Sequence, residues 1–161
     1  MQGGRWYIFS RSQALPYSSI SAFSSTEPPN PATSIKERKG PPAHPNALIV
    51  DDVADVTEML AVLLTHAGYQ VVTAASAMSA LKIARERQFD VIISDIGMPE
   101  MNGYQLAREL RLLPGYESVP MVAVTGYSMF DDKERSAKAG FTAHMTKPID
   151  PHALLDLIEQ L

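Results

Sequence analysis

The stretch VIISDIGMPEMNG, residues 91–103, decides the fold of this chain. Its first three residues, VII, form a short β-branched run of the kind that makes a strand buried on both faces. The run ends just before Asp95, and a loop containing Gly and Pro follows. Asp95 is therefore expected at the carboxyl end of a strand, which is the edge where open parallel α/β sheets bind ligands. Taken by itself, an Asp in this position is more often a turn residue or a helix cap.

Around this stretch, short apolar runs alternate with segments whose apolar residues recur at helical spacing. Strands are predicted at 47–50, 69–73, 91–93, 120–125 and 141–146, each followed by a helix. Gly68 and Gly140 stand where two of these helices are expected to end. A βα unit repeated five times predicts a parallel sheet covered by helices on both faces. The predicted fold is α/β, a flavodoxin-like doubly wound (βα)5 sheet with strand order 2-1-3-4-5.

Length and composition bound the class of protein. A chain of 161 residues that is 45% apolar can bury one ordinary core but not two. There is no cysteine, which excludes disulfides and thiolate metal sites and is compatible with the cytoplasm, where we expect the protein. No apolar run approaches the length that spans a membrane, so no membrane association is expected.

Residues 1–45 differ from the rest of the chain and are predicted to be a disordered Pro/Ser-rich tail or linker. They hold seven of the twelve prolines, and their apolar pattern does not extend beyond residues 6–9. The sign of the formal net charge changes at nearly the same place. Residues 1–46 carry +3 and residues 47–161 carry −7. An acidic surface repels phosphate backbones, which argues against direct nucleic-acid binding by the globular part.

Three carboxylates are predicted at one edge of the sheet. Asp51 and Asp52 follow the first predicted strand, and Asp95 follows the third. The carboxyl ends of parallel strands share an edge, so these groups should converge and repel one another unless a positive charge is present. Oxygen ligands without nearby Cys or His favour a hard divalent cation, and Mg²⁺ fits best.

Two further residues are expected at the same edge. Thr125 follows the fourth predicted strand and Lys147 the fifth. A carboxylate flanked by Mg²⁺, an ammonium group and a hydroxyl is what phosphoryl transfer to an Asp requires. Asp95 is the best candidate nucleophile because it stands alone on the central strand, whereas the adjacent pair Asp51 and Asp52 is better placed to hold the metal.

Four motifs, in this order and at this spacing, resemble those of the receiver domain of two-component response regulators. They are LIVDD at 48–52, DIGMPEMNG at 95–103, VAVTG at 122–126 and KP at 147–148. The resemblance extends over residues 46–161, essentially the whole predicted globular part.

The resemblance implies that Asp95 is the phosphoacceptor and forms a 4-aspartylphosphate. The donor would be a partner histidine kinase or histidine phosphotransfer protein, and Mg²⁺ would be required. Asp52 would bind Mg²⁺ directly, Asp51 mainly through water, and the backbone carbonyl of Gly97 would complete the protein ligands. Beyond self-phosphorylation and dephosphorylation at Asp95, no enzymatic activity is implied.

The resemblance also implies a switch. Thr125 and Lys147 would contact the phosphoryl oxygens, and movement of Thr125 would shift the following loop and the fourth helix. Pro148 would be joined to Lys147 by a cis peptide bond. Three residues before Lys147, where the family usually has Tyr or Phe, this chain has His144. Whether His144 acts as the switch residue or is an ordinary packed strand residue stays open at this stage.

The sequence leaves alternatives of organisation and function. The chain could be a single-domain regulator or the terminal receiver of a hybrid kinase, and its downstream target is unknown. A receiver-like scaffold that works without phosphorylation is the alternative function, although a scaffold has no need of a costly cluster of acids. A phosphatase with an Asp nucleophile would want a second acid at position 97, where this chain has Gly. A homodimer is possible, with Met129 and Phe130 as candidate contact residues.

Overall fold

The computed structural model describes residues 6–9, 44–126 and 130–161, and for 130–132 it describes the backbone only. The strands are β1 (Trp6–Ile8), β2 (Asn46–Val50), β3 (Gln70–Ala74), β4 (Val91–Asp95), β5 (Met121–Thr125) and β6 (Ala143–Thr146). The helices are α1 (Ala54–His66), α2 (Ala77–Glu86), α3 (Gly103–Arg111), α4 (Phe130–Ala139) and α5 (Pro151–Glu159). Each predicted strand and helix is present, with boundaries that differ by a few residues.

The strands form one sheet in the order β1-β6-β5-β4-β2-β3. Neighbouring strands from β2 to β6 are parallel. The predicted order 2-1-3-4-5 corresponds to β3-β2-β4-β5-β6, so the flavodoxin-like prediction is confirmed for these five strands. The central position of β4 places the end of the strand at Asp95 between two other strand ends, which is the geometry that a shared site needs.

A sixth strand, β1, was not predicted. Trp6–Ile8 pairs antiparallel with β6, and the N–H of Phe9 donates to the carbonyl oxygen of Thr142 at 2.8 Å. The prediction of a disordered tail is therefore wrong for residues 6–9, while residues 1–5 and 10–43 of the predicted tail lie outside the described part. Its aromatic and β-branched residues favour an extended strand. Local patterning could not reveal the pairing, because the partner strand lies at the other end of the chain.

The sheet has a hydrophobic layer on each face. Successive residues of β4 alternate between the two layers, because side chains of a strand point to opposite faces. Ile92 belongs to the layer under α2 and α3, which includes Leu81 and Leu106. Val91 and Ile93 belong to the layer under α1 and α5, which includes Leu60 and Leu157. All five residues of β4 are buried, as expected for a strand covered on both sides.

Side chains cap the first turns of α3 and α5. Asn102 accepts from the N–H of Gln105 at 3.0 Å, and the Gln105 side chain accepts from the N–H of Asn102 at 3.1 Å. This capping box starts α3 immediately after the loop that follows Asp95. Asp150 caps α5 in a similar way and is followed by Pro151, a favourable first helical residue. Among the described residues, no helix combines the length and the apolar character that crossing a bilayer requires.

The contact surface suggested by Met129 and Phe130 cannot be placed. Met129 is outside the described residues, and only the backbone of Phe130 is described. The homodimer suggested from these residues stays a prediction.

Candidate functional site

The candidate site lies at the carboxyl-end edge of the parallel strands. Asp51 directly follows β2, Asp95 ends β4, Thr125 ends β5 and Lys147 directly follows β6. In the sheet, Asp95 pairs with Val124, so Thr125 lies one residue beyond that pair. The structure therefore brings these predicted residues to the same edge, and it does so through strand order rather than through local sequence.

Three carboxylates converge at this edge. One carboxylate oxygen from each of Asp51, Asp52 and Asp95 lies within 4.8 Å of the others. Asp51 is 3% exposed and Asp95 6% exposed, whereas Asp52 is open to solvent. Two buried acids and one accessible acid form an oxygen donor set of the kind that Mg²⁺ takes, since Mg²⁺ binds few carboxylates and keeps several waters.

The ammonium group of Lys147 joins two of the acids. Its Nζ lies 3.0 Å from Oδ2 of Asp51 and 3.0 Å from Oδ1 of Asp95. The backbone N–H of Lys147 donates to the carbonyl oxygen of Thr125 at 2.8 Å, which holds the end of β6 against the end of β5. The Lys147–Pro148 peptide bond, for which the family resemblance implied a cis geometry, is cis.

The charges of this cluster do not balance without a further cation. Three carboxylates and one ammonium group carry a formal charge of −2. Asp51 is held at both oxygens, because Oδ1 accepts from the N–H of Val53 at 2.9 Å while Oδ2 accepts from Lys147. One divalent cation would neutralise the site, and the donor set fits Mg²⁺.

This environment shifts the pKa values of both Asp95 and Lys147. Burial raises the pKa of the Asp95 carboxyl, and the negative charge of Asp51 raises it further. The hydrogen bond and the positive charge of Lys147, together with the backbone N–H of Gly97, lower this pKa but do not cancel the increase. Burial lowers the pKa of Lys147, yet its hydrogen bonds and charge interactions with Asp95 and Asp51 outweigh burial and raise it. The ammonium form of Lys147 is therefore stabilised at neutral pH.

Two glycines shape the backbone around Asp95. A Cβ added at Gly97 would lie 3.6 Å from Oδ2 of Asp95, so the Gly97 backbone runs directly beside the carboxylate. A Cβ at Gly103 would collide with the backbone carbonyl oxygen of Asp95, and it would lie 2.9 Å from the Cα of Ile96. The N–H of Gly103 donates to the carbonyl oxygen of Ile96 at 3.0 Å. The first turn of α3 can approach the back of Asp95 this closely only because residue 103 has no side chain.

His144 lies inside the protein. It is 1% exposed, and its Nδ1 is 3.1 Å from the hydroxyl oxygen of Ser136 on α4. This contact connects the predicted switch position to the helix predicted to move. Ser136 was missed from the sequence, although its spacing of three residues from buried Ala139 places both on the inner face of α4.

Comparison with known families decides the identity of this fold and site. Residues 47–159, from β2 to the end of α5, match the response regulator receiver domain. The chain belongs to this family. It is therefore a receiver domain with a phosphoacceptor role in two-component signalling, and receiver domains bind Mg²⁺ in their active site.

Two curated relatives differ in how much of their own length the chain covers. The chain is 35% identical over 118 residues to an uncharacterized 14.6 kDa protein of Leptolyngbya boryana, covering 73% of this chain and 90% of that protein. It is also 35% identical over 119 residues to the transcriptional regulatory protein GlrR of Escherichia coli (strain K12), covering 73% of this chain but 26% of GlrR. The chain thus spans about a quarter of the length of GlrR.

Solved receiver structures show the same fold. Chemotaxis protein CheY4 of Vibrio cholerae is 34% identical with a TM-score of 0.71, covering 73% of this chain and 98% of that chain. The receiver domain of sensor histidine kinase PA1611 from Pseudomonas aeruginosa PAO1 is 26% identical with a TM-score of 0.68, covering 73% of this chain and 97% of that chain. That structure has a magnesium ion coordinated in its active site cleft.

Proposed function

We propose that Asp95 of this receiver domain accepts a phosphoryl group from the phosphohistidine of a histidine kinase or a histidine phosphotransfer protein. The observation that carries the proposal is the position of Lys147, whose ammonium nitrogen lies 3.0 Å from both Asp95 and Asp51. A buried carboxylate beside a fixed cation and two further acids is suited to phosphoryl transfer, because the cations neutralise the transferring oxygens.

The transfer step balances at this site. An oxygen of Asp95 attacks the phosphorus atom of the donor, and the P–N bond breaks with its electron pair on the imidazole nitrogen, which takes up a proton. Asp95 lies next to the accessible acid Asp52, so a donor can approach from the solvent side. Lys147 contacts Oδ1 of Asp95 before the reaction. After transfer, its ammonium group can contact the negatively charged phosphoryl oxygens instead.

Asp51, Asp52, Asp95 and the backbone carbonyl of Gly97 would hold Mg²⁺. Asp52 is the exposed member of the cluster and is proposed to bind the ion directly. Asp51 already accepts hydrogen bonds at both carboxylate oxygens, which supports binding mainly through water. When bound, Mg²⁺ neutralises charge on the transferring phosphoryl oxygens.

Thr125 and His144 are proposed to carry the signal away from the site. Thr125 is 5% exposed and ends β5, so its backbone leads directly into the segment before α4. A phosphoryl group on Asp95 would draw the Thr125 hydroxyl toward it and displace that segment. His144 contacts Ser136 on α4, so a shift of this helix would change the surroundings of a buried ring.

The experiment that tests the proposal is intact-protein mass measurement after incubation with Mg²⁺ and acetyl phosphate. We expect a phosphoryl-sized gain that requires Mg²⁺ and disappears in Asp95→Asn. The matched control is Asp156→Asn, which removes an exposed carboxylate from α5 and should leave the gain unchanged. A folded wild-type protein that gains no mass would contradict the proposal and favour the phosphorylation-independent scaffold.

The proposed phosphoryl donor also defines the class of upstream partner, because a phosphohistidine must be carried by a protein. We propose a histidine kinase or a histidine phosphotransfer protein as the upstream partner. Transfer from a radiolabelled phosphohistidine protein to wild type but not to Asp95→Asn would support it. The same assay can be run whether the domain acts as a single-domain regulator or as the receiver of a hybrid kinase.

A further inference from the structure

The strand β1 is a feature that the phosphoryl-transfer chemistry does not use. It pairs antiparallel with β6 through Tyr7 opposite His144 and Ile8 opposite Ala143. In the described sheet, β6 would be an edge strand without it, because its other neighbour is β5. Exposed sheet edges present unpaired N–H and C=O groups that attract extended segments. While β1 is paired with this edge of β6, no other extended segment can pair with it.

Tyr7 connects β1 to helix α4. The Nζ atom of Lys133 on α4 lies 3.1 Å from the centre of the Tyr7 ring, well inside the range of a cation–π contact. Residues directly opposite in an antiparallel pair point to the same face of the sheet, so Tyr7 shares its face with His144. His144 in turn contacts Ser136, which is one turn from Lys133 on the same helix. One helix thus touches both strands at neighbouring points.

We infer that the edge of β6 and the Lys133 side of α4 form a strand-docking surface whose occupancy depends on the state of Asp95. Its occupant is the chain's own segment Trp6–Ile8 together with Phe9, which docks while Asp95 is unphosphorylated and is released when it is phosphorylated. This inference rests on the proposed function, because it needs phosphorylation of Asp95 to displace α4.

The direction of the coupling follows from the contacts. The Tyr7–Lys133 contact occurs together with an Asp95 carboxylate whose Oδ1 is contacted directly by Lys147 at 3.0 Å, and displacement of α4 would weaken the Tyr7–Lys133 contact. The other interactions that keep β1 docked on β6 are weak. It is a strand of three residues, Ile8 is 38% exposed, and Trp6 and Phe9 are only partly buried at the margins of the two hydrophobic layers. A short edge strand of this kind opens at low free-energy cost.

Linkage makes the coupling reciprocal. If phosphorylation weakens the docking of β1, then a variant with weakened docking must be easier to convert to the phosphorylated form. Removal of the cation–π contact should increase the affinity for beryllofluoride, a phosphoryl mimic, by about two- to five-fold. The matched variant Tyr7→Phe keeps an aromatic ring over Lys133 and should stay close to the wild type, whereas Tyr7→Ala loses the ring.

Hydrogen exchange in the full chain tests this inference. The reporter is the amide of Phe9, which donates to the carbonyl oxygen of Thr142 at 2.8 Å and should be protected in Mg²⁺. We expect that addition of beryllofluoride accelerates its exchange at least five-fold. Tyr7→Ala and Lys133→Gln should accelerate it without beryllofluoride. Tyr7→Phe and Lys82→Gln, which changes a lysine of α2, should not.

The outcomes separate the two proposals. If beryllofluoride binds in a manner that requires Asp95 while exchange at Phe9 is unchanged, the docking inference is overturned and the proposed function stands. If beryllofluoride and acetyl phosphate both fail to react with a folded protein, the proposed function fails and the coupling fails with it. If Tyr7→Ala leaves Phe9 protected, α4 does not hold β1, and the inference fails whatever happens at Asp95.

Discussion

The Nζ atom of Lys147 lies 3.0 Å from Oδ1 of Asp95, although Asp95 ends β4, Lys147 follows β6, and β5 lies between these two strands. The same nitrogen lies 3.0 Å from Oδ2 of Asp51. One ammonium group is thus shared by two buried acids, and the nearby carboxylate of Asp52 leaves the cluster two positive charges short. This shortage explains the fit of a divalent cation, whereas the raised pKa of Asp95 comes first from burial and then from the negative charge of Asp51.

Replacement of Lys147 by glutamine should slow phosphorylation of Asp95 by acetyl phosphate by about 10²-fold, as expected for removal of a fixed charge that stabilises a transition state. The initial rate of mass gain at saturating Mg²⁺ measures this effect. Lys82→Gln on α2 removes the same charge from an exposed position away from the site and should leave the rate unchanged. Equal rates for all three proteins would show that Lys147 plays no part in transfer.

Asp95→Asn should increase the free energy of unfolding of the metal-free protein at neutral pH, because burial raises the pKa of Asp95 and its charged form therefore costs stability in the folded state. Urea unfolding with a chelator present measures it. Added Mg²⁺ should shrink the difference, since the ion stabilises the wild-type carboxylate. Asp156→Asn, which removes an exposed charge, should show no comparable gain.

The stability difference between wild type and Asp95→Asn should depend on pH with a definite sign. The pKa of Asp95 is raised in the folded protein, so the unfolded chain loses this proton at a lower pH than the folded one. The contribution of Asp95 to stability is therefore present below the pKa of the unfolded state and is lost as the pH rises through the folded pKa. The advantage of Asp95→Asn should grow across that interval, and a constant advantage would contradict the raised pKa.

Gly103→Ala should destabilise the fold by about 1–3 kcal/mol, which is typical of forcing an extra methyl group into a packed region. The added Cβ would collide with the carbonyl oxygen of Asp95, so the rate of phosphorylation should fall as well. Thermal unfolding and the mass assay measure the two effects. Gly126→Ala is the control for stability, because no described residue other than its chain neighbours comes within 4 Å of a Cβ placed there.

Arg111→Met should cost about 2–4 kcal/mol of stability. The guanidinium group donates to the carbonyl oxygens of Tyr116, Val119 and Gly140 at distances of 2.6 to 3.0 Å, and it thereby ties the end of α3 to the loops before β5 and β6. Its loss leaves part-buried carbonyl groups without this donor. Arg108→Met, on the exposed side of the same helix, is the matched control and should lose little stability. If Arg108→Met lost as much stability as Arg111→Met, the effect would be a general one of charge.

The sequence by itself determined the five parallel strands and their helices. Predicted strands of three to six residues, separated by helical periods, can bury their apolar side chains only in a sheet covered on both faces. That topology was sufficient to predict that Asp51, Asp95, Thr125 and Lys147 would share an edge, because the carboxyl ends of parallel strands all lie there. No side-chain detail was needed for this inference.

Other contacts were decided only by the tertiary structure. The docking of β1 on β6, the Tyr7–Lys133 contact and the Ser136–His144 contact each join residues from different elements. Their formation depends on the register of a long-range strand pair and on the side-chain conformations that packing allows, and neither leaves a periodic signal in the chain. Local sequence patterns indicate which residues are buried. They do not indicate which residues contact each other, because those contacts are selected by interactions that form only in the folded chain.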